Sequence, residues 1–178
     1  MSAILDQVTG SLAALGVWTY WILGLTVLLE TVVVTSIFFP GTFLVITGGM
    51  LAQHGTISYG ELAVFVAVGA FLGAEISFRL GKLAGNKLSR RQDLVETLHA
   101  RRARTLFNRY GGFALIIARF LGPLAGFVPF AAALARQRHH HFVSWNVASS
   151  AAFGLILPAV GYFFGDAFSA LAPIANQF

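Results

Sequence analysis

The chain has 178 residues, of which 57% are hydrophobic and 11% are charged, with a formal net charge of +5 and a mean hydropathy of +0.75. So apolar a composition excludes an ordinary soluble protein and indicates one integral membrane domain over residues 1–178. Cysteine is missing from the sequence, which excludes a disulfide framework, thiolate catalysis and cysteine-ligated metal.

The N-terminal segment MSAILDQVTG contains an aspartate and no lysine or arginine. A cleaved signal peptide begins with a basic region, so we expect the chain to keep this segment. Window hydropathy then gives five apolar stretches, which lie at residues 12–29, 31–52, 58–80, 111–135 and 142–165. Because a helix needs about 20 residues to cross hydrocarbon, these stretches predict an all-α membrane fold with several transmembrane helices.

Two of the stretches are typical of uninterrupted spanning helices. Residues 58–80 begin with Ser58 and Glu61, which have the spacing of a capping box at a helix start. Residues 142–165 are rich in small side chains, and the spacing of Gly161 and Gly165 favours close approach of a second helix. Pro158 marks a candidate kink in this helix.

The stretches 31–52 and 111–135 are each interrupted in the middle, by FFPGT in the first and LGPLAGFVP in the second. Irregular backbone at membrane depth is tolerated where it is buried in protein or lines a cavity. We therefore predict a re-entrant broken hairpin in each of these two stretches.

Basic residues are concentrated in one loop, at about residues 82–110, and the positive-inside rule places that loop in the cytoplasm. Arg136 and Arg138 follow the broken stretch 111–135, and a full crossing there would place both outside. A re-entrant hairpin returns them to the cytoplasmic side. With one hairpin in each half, the halves form an inverted repeat, as in several transporters. The loop contains Lys82, Lys87, Arg90, Arg91, Arg101, Arg102, Arg104 and Arg109.

Arg119 stands at the head of an apolar run, where a cation costs about 2.5 to 3.5 kcal/mol on insertion scales. Its planar guanidinium matches phosphate oxygens, which makes it the main candidate for anion binding. The alternatives are an ion pair with Glu30 or a side chain that reaches the cytoplasmic surface.

Glu30 is a candidate for proton coupling, because desolvation disfavours a charged carboxylate; the alternative is a helix-end acid in interfacial water. Glu75 is the second coupling candidate. Glu75 and Arg79 are four residues apart, a spacing that favours an ion pair on one helix face.

The remaining polar motifs give weaker signals. The adjacent histidines of RQRHHHF, residues 139–141, point in different directions on a helix, so we predict a basic interfacial turn and no metal site. Basic residues without a recognisable module of stacking aromatics predict no nucleic-acid binding. Ser149 and Ser150 are interpreted as packing residues on an apolar helix. With no P-loop or Gly-x-Ser-x-Gly motif, we expect neither an enzyme nor a cofactor.

Over most of its length, the sequence resembles the DedA family of membrane proteins, also called the SNARE-associated or VTT-domain family. This resemblance implies two re-entrant helices that meet near the midplane, and a role in moving lipid-linked phosphates across the bacterial cytoplasmic (inner) membrane, with undecaprenyl phosphate as the leading substrate. It also implies that an acidic pair and an arginine pair in the hairpins serve function and respond to the proton gradient. The matching motifs are Glu30 with FFPGT, Gly48 and Gly49, GAEISFRLGK at 73–82, FNRYGG at 107–112, ARFLGP at 118–123, Pro129, and HFVSWN at 141–146.

Two positions depart from the family pattern: Thr42 replaces an acid that many members carry, and Ala125 replaces the second arginine. We therefore predict a flippase for a lipid-linked phosphate and leave proton coupling open. Its expected partners are that substrate and membrane lipids, and a homo-oligomer is left open. The alternative is a membrane-homeostasis or assembly partner without a transport cycle, and an intramembrane hydrolase is third. The expected substrate-binding residues are Arg119, Glu30, Thr42, Gly41, Gly122 and Ala125.

Overall fold

The computed structural model describes residues 16–36, 38, 41–88, 112–121 and 124–175, the side chains of 86–88, 124 and 166–175 aside. Across these residues the chain is helical and contains no strand, so the predicted all-α class is confirmed. The helices are α1 Trp18–Thr31, α2 Gly41–Gln53, α3 Tyr59–Leu88, α4 Phe113–Arg119, α5 Leu124–Leu134 and α6 His139–Ala175.

Two helices are long and apolar enough to cross a membrane, judged by length and composition. These segments are Tyr59–Gly85 of α3 and His139–Gly165 of α6, each 27 residues long. They correspond to the two stretches predicted as uninterrupted helices, and α6 continues through Pro158. The helices α2, α4 and α5 have 13, 7 and 11 residues, fewer than the roughly 20 that a spanning helix needs.

Two boundaries differ from the prediction. Helix α3 continues to Leu88, so the basic segment does not begin as a loop at residue 82, and residues 89–111 lie outside the described part. Helix α6 begins at His139, so the histidines predicted to form a turn are instead its first residues. The turn occupies the residues just before them, where Arg136 has a left-handed backbone with a φ of 59°.

The chain is broken in both stretches where breaks were predicted. Helix α1 ends at Thr31 and α2 begins at Gly41, while α4 ends at Arg119 and α5 begins at Leu124. A charged residue stands at the end of the helix before each break, with Glu30 one residue before the end of α1 and Arg119 as the last residue of α4. The two breaks therefore place Glu30 and Arg119 at helix ends.

Helix α3 is the centre of the packing, and it is apolar on two opposite faces. One face is buried against the other helices, with Leu62, Val66, Ala70 and Ala74 spaced four residues apart. The other face is exposed, with Val64, Val68, Leu72 and Ile76 at the same spacing. A helix that is hydrophobic on its exposed face as well as its buried face is typical of a membrane span.

Glycines permit backbone contact between the packed helices. A Cβ atom at Gly69 of α3 would collide with the carbonyl of Gly24 in α1. Between α2 and α6, a Cβ at Gly161 would collide with the carbonyl of Ile46, and a Cβ at Gly49 with that of Pro158. The predicted close approach at Gly161 is confirmed, since small residues bring membrane helices into direct backbone contact.

In the first half of the chain, α1 runs along α3 and α2 then runs back. The start of α1 lies at the start of α3, where the backbone N–H of Ser58 donates to the Tyr20 hydroxyl at 2.7 Å. The end of α1 lies at Gly73, whose added Cβ would meet the Leu28 carbonyl at 2.5 Å. The Tyr20 hydroxyl therefore accepts the hydrogen bond from the Ser58 N–H that the Glu61 side chain would accept in a capping box. The predicted helix start is confirmed, and the predicted capping partner of this N–H is wrong.

In the second half of the chain, α4 runs along α6 and α5 then runs along α3. Gly112 lies against Trp145 near the start of α6, and the Phe120 ring is 5.6 Å from that of Phe153. Helix α5 then runs back until Leu134 lies beside Gly85 of α3. That these segments form re-entrant hairpins related as an inverted repeat in a bilayer stays a prediction.

Candidate functional site

Two charged side chains are buried where the breaks lie, and each is held by different groups. Glu30 is 6% exposed and Arg119 is 3% exposed. Among the ion pairs of the described residues, none joins these two side chains. The ion pair considered as an alternative for Arg119 is therefore wrong, and so is the alternative that Arg119 reaches the surface.

The carboxyl group of Glu30 closes the first break by binding the start of α2. The hydroxyl of Thr42 donates to Glu30 Oε1 at 2.7 Å, and Glu30 Oε2 lies beside Gly41, the first residue of α2. A carboxylate is favoured at a helix N-terminus, where backbone N–H groups are unpaired and the helix dipole is positive. Glu30 thus joins the end of α1 to the start of α2.

Gly41 permits this contact because it has no side chain. A Cβ atom at this position would lie 2.5 Å from Glu30 Oε2 and 3.2 Å from the carbonyl oxygen of Thr26. Three of the six predicted binding residues therefore form one cluster, in which the Glu30 carboxyl group is hydrogen-bonded to Thr42 and lies against Gly41.

Arg119 is held by an uncharged partner. Its Nη2 donates to Asn146 Oδ1 at 2.8 Å, whereas its Nη1 is buried and has no hydrogen-bond partner among the described residues. Buried charges in proteins are nearly always paired, because an uncompensated charge in an apolar medium is costly. Nη1 is therefore a buried donor of a cationic group, with no acceptor among the described residues.

The sequence predicts no role for Asn146 beyond its place in the motif HFVSWN. A polar carboxamide within an apolar span could nevertheless have indicated a functional residue. The residue is fully buried in α6. Its Nδ2 donates to the carbonyl of Phe71 in α3 at 3.1 Å, and its Oδ1 also accepts from Ser150 at 3.3 Å. Asn146 thus links α3, α4 and α6.

Of the other predicted binding residues, Ala125 is buried, with 8% exposed, and Gly122 lies outside the described residues. Next to Ala125, Gly126 packs against the end of α1, where an added Cβ would lie 3.0 Å from the Thr31 carbonyl oxygen. The start of α5 therefore meets the end of α1, which is the region of Glu30.

The predicted pair of Glu75 and Arg79 is present, with 3.1 Å between Arg79 Nε and Glu75 Oε1. The same carboxylate oxygen lies 2.7 Å from Nε2 of His139, a contact that the sequence did not suggest. Glu75 Oε2 is buried and has no partner in the part of the chain that the structure describes, whereas 46% of the His139 side chain is exposed. That Glu75 takes part in proton coupling stays a prediction.

The neighbouring serines and histidines of α6 form hydrogen bonds within the protein. The Ser149 hydroxyl donates to the backbone carbonyl of Asn146 at 3.1 Å, and Ser150 donates to the Asn146 side chain. Of the three adjacent histidines, His139 contacts Glu75 and His141 contacts Gln137. The residues that the structure describes contain no cluster of three metal-ligating side chains.

Comparison with known proteins shows what the chain is similar to. Residues 39–165 match the family model of the VTT domain. The chain is 30% identical to Protein DedA of Escherichia coli K12 over 157 residues, which cover 86% of this chain and 72% of that protein. It is 29% identical to Inner membrane protein YqjA of the same organism over 148 residues, or 82% of this chain and 67% of that protein.

A third relative is a mycobacterial membrane protein. The chain is 30% identical to Uncharacterized membrane protein ML0287 of Mycobacterium leprae over 129 residues, which cover 71% of this chain and 58% of that protein. No solved structure matches the chain.

The contact between Thr42 and Glu30 predicts a loss of stability when the hydroxyl is removed. Thr42→Val keeps the side-chain volume but deprives a buried carboxyl group of a donor, so we expect the free energy of unfolding to fall by about 1–3 kcal/mol. Thr42→Ser keeps the donor and is the matched control. Thermal unfolding in detergent measures both variants, and a valine variant as stable as the wild type would show that the hydrogen bond does not hold the break.

Proposed function

The chain belongs to the DedA family of membrane proteins, and from this premise we propose that it is a carrier that moves a lipid-linked phosphate across the bilayer. The family, the membrane relatives and the two long apolar helices identify it as an integral membrane protein. A relative named as an inner membrane protein supports a location in the bacterial inner membrane. The proposed substrate is undecaprenyl phosphate or a related phospholipid.

The observation that carries the proposal is the unpaired Nη1 of buried Arg119. Among the described residues, the Arg119 guanidinium has one hydrogen-bond partner, the neutral amide of Asn146, which binds Nη2. The positive charge is therefore not cancelled by a neighbouring carboxylate. Uncompensated buried charge favours binding of an opposite charge, and guanidinium N–H groups match the oxygens of a phosphate. An anionic headgroup would supply the acceptor that Nη1 lacks.

The helix dipole at the first break contributes little to this site. The start of α2 is already bound by Glu30 through Thr42. Its positive end is therefore neutralised by the chain itself, and the dipole attracts a second anion only weakly. Arg119 is left as the main source of positive charge for a headgroup.

The path for the headgroup is proposed to lie between two re-entrant hairpins. Helices α1 and α2 form the hairpin that begins at the Tyr20–Ser58 end of α3, and α4 and α5 form the one that ends beside Gly85. Their tips meet where Gly126 packs against Thr31. Such contacts support an inverted repeat, in which the substrate site lies at the midplane between the halves.

This proposal has a competitor that one observation favours. Ala125 is buried at the position where the family's second arginine is expected, so only one guanidinium occupies this part of the chain. A membrane-homeostasis or assembly partner without a transport cycle would tolerate this loss. Measurement of lipid flipping by the purified protein separates the two functions.

Transport is tested with the wild type and Arg119 variants in vesicles that contain a fluorescent polyprenyl phosphate. We expect the wild type to move the label between leaflets. We expect Arg119→Ala to insert and fold but to move the label at least ten times more slowly. Arg119→Lys should recover part of the rate, because it keeps the charge but loses the planar fork. Lys82→Ala removes an exposed cation and is the control. A wild type that leaves the label where it started would instead support the assembly role.

The hairpin arrangement predicts which positions are accessible from each side of the membrane. The absence of native cysteine permits single labels at Thr56, Leu83 and His140, none of which removes a lysine or an arginine. We expect Leu83→Cys and His140→Cys to react with an impermeant maleimide from the cytoplasm, and Thr56→Cys only from outside. Reaction of residue 140 on the same side as residue 56 would contradict the proposed hairpin at 111–135.

A further inference from the structure

The partner that fixes Arg119 is itself fixed by two other helices. The side-chain nitrogen of Asn146 donates to the Phe71 carbonyl at 3.1 Å, and of the two ends of the amide only the nitrogen can donate to that oxygen. The side-chain oxygen must then face the other way, where it accepts from Arg119 Nη2 at 2.8 Å and from Ser150 at 3.3 Å. The orientation of the amide is therefore set by α3, and it sets the orientation of the guanidinium.

A neutral acceptor has a consequence that a carboxylate would not have. A carboxylate at this position would pair with Arg119 and cancel its charge. The amide of Asn146 holds one nitrogen of the guanidinium through a hydrogen bond and leaves the net charge of the group unchanged. Nη1 then remains buried with no partner among the described residues.

We infer that Asn146 is the positioning residue of the anion site: its neutral amide orients Arg119 so that Nη1 is presented to the phosphate of a lipid headgroup. This role rests on the proposed function, because it requires that Arg119 binds the phosphate. Ser150 supports the same amide by donating to its oxygen. The ligand class is an anionic phosphate monoester on an apolar chain.

The first test measures affinity for farnesyl phosphate in nanodiscs of neutral phosphatidylcholine, with farnesol as the uncharged control ligand. Asn146→Asp keeps the size of the side chain but introduces a carboxylate, and we expect it to weaken binding at least tenfold. We expect Asn146→Ala to weaken binding at least fivefold, because the guanidinium loses its orientation.

Two adjacent serines provide a matched control for the loss of a buried hydroxyl. Both side chains are buried in α6, but Ser150 contacts the Asn146 side chain whereas Ser149 contacts only its backbone carbonyl. We expect Ser150→Ala to weaken binding about twofold to threefold, and Ser149→Ala to leave the affinity unchanged. Equal effects of the two substitutions would overturn the positioning role.

A double-mutant comparison separates positioning from general stabilisation. If Asn146 acts through the guanidinium fork, Asn146→Ala should lose most of its effect on affinity in an Arg119→Lys background. A merely structural role predicts the same fold loss in both backgrounds. Thermal unfolding is measured for every variant, and if the alanine variant does not fold, the aspartate variant and the serine pair decide the question.

The outcomes distinguish this inference from the function on which it rests. A wild type that binds farnesyl phosphate no better than farnesol overturns the proposed function, and the role of Asn146 with it. A wild type that binds the phosphate selectively, together with an Asn146→Asp variant of unchanged affinity, overturns the positioning role alone. Selective binding that falls in the aspartate variant and in Ser150→Ala supports both.

Discussion

Charge buried in an apolar interior must be satisfied by hydrogen-bonding groups, and this constraint organises the chain around Glu30 and Arg119. The two residues meet it differently. Glu30 is satisfied by Thr42 at the start of the next helix, so its charge is used to hold a break in the chain. Among the described residues, Arg119 is held on one side only, by Asn146. Within the part of the chain that the structure describes, the Glu30 carboxyl group thus has a hydrogen-bond donor, whereas the Arg119 guanidinium still has a donor without an acceptor. A carrier of anions needs such a donor.

The rest of the fold keeps these two groups at the ends of short helices. Pro and Gly interrupt the apolar stretches, and the described backbone at the end of α1 is packed against protein, as membrane interiors require. Gly126 places the start of α5 on the end of α1, and Ser77 of α3 donates to the Thr31 carbonyl at 2.8 Å while it accepts from the Val33 N–H at 2.9 Å. The last carbonyl of α1 and the first irregular residues after it are therefore satisfied by the central helix.

Local patterns in the sequence were sufficient for the all-α class, the two long helices, the positions of both breaks and the identity of the buried charges beside the breaks, because each depends on neighbouring residues. Contacts between distant residues were not predictable in this way. Arg119 and Asn146 are 27 residues apart, Tyr20 and Ser58 are 38 apart, and Glu75 and His139 are 64 apart. A spacing of four residues identified Arg79 as a partner of Glu75, whereas no local spacing identifies a partner on another helix.

The central claim, that Arg119 binds the phosphate of a lipid, is tested most directly by the proximity of phosphorus to the guanidinium nitrogens. Solid-state NMR with ¹⁵N-labelled arginine measures ³¹P–¹⁵N dipolar dephasing in bilayers that contain farnesyl phosphate or farnesol. We expect a guanidinium signal that is absent from Arg119→Lys and is dephased only when farnesyl phosphate is present. An Arg119 signal with the same dephasing in farnesyl phosphate and farnesol would contradict it.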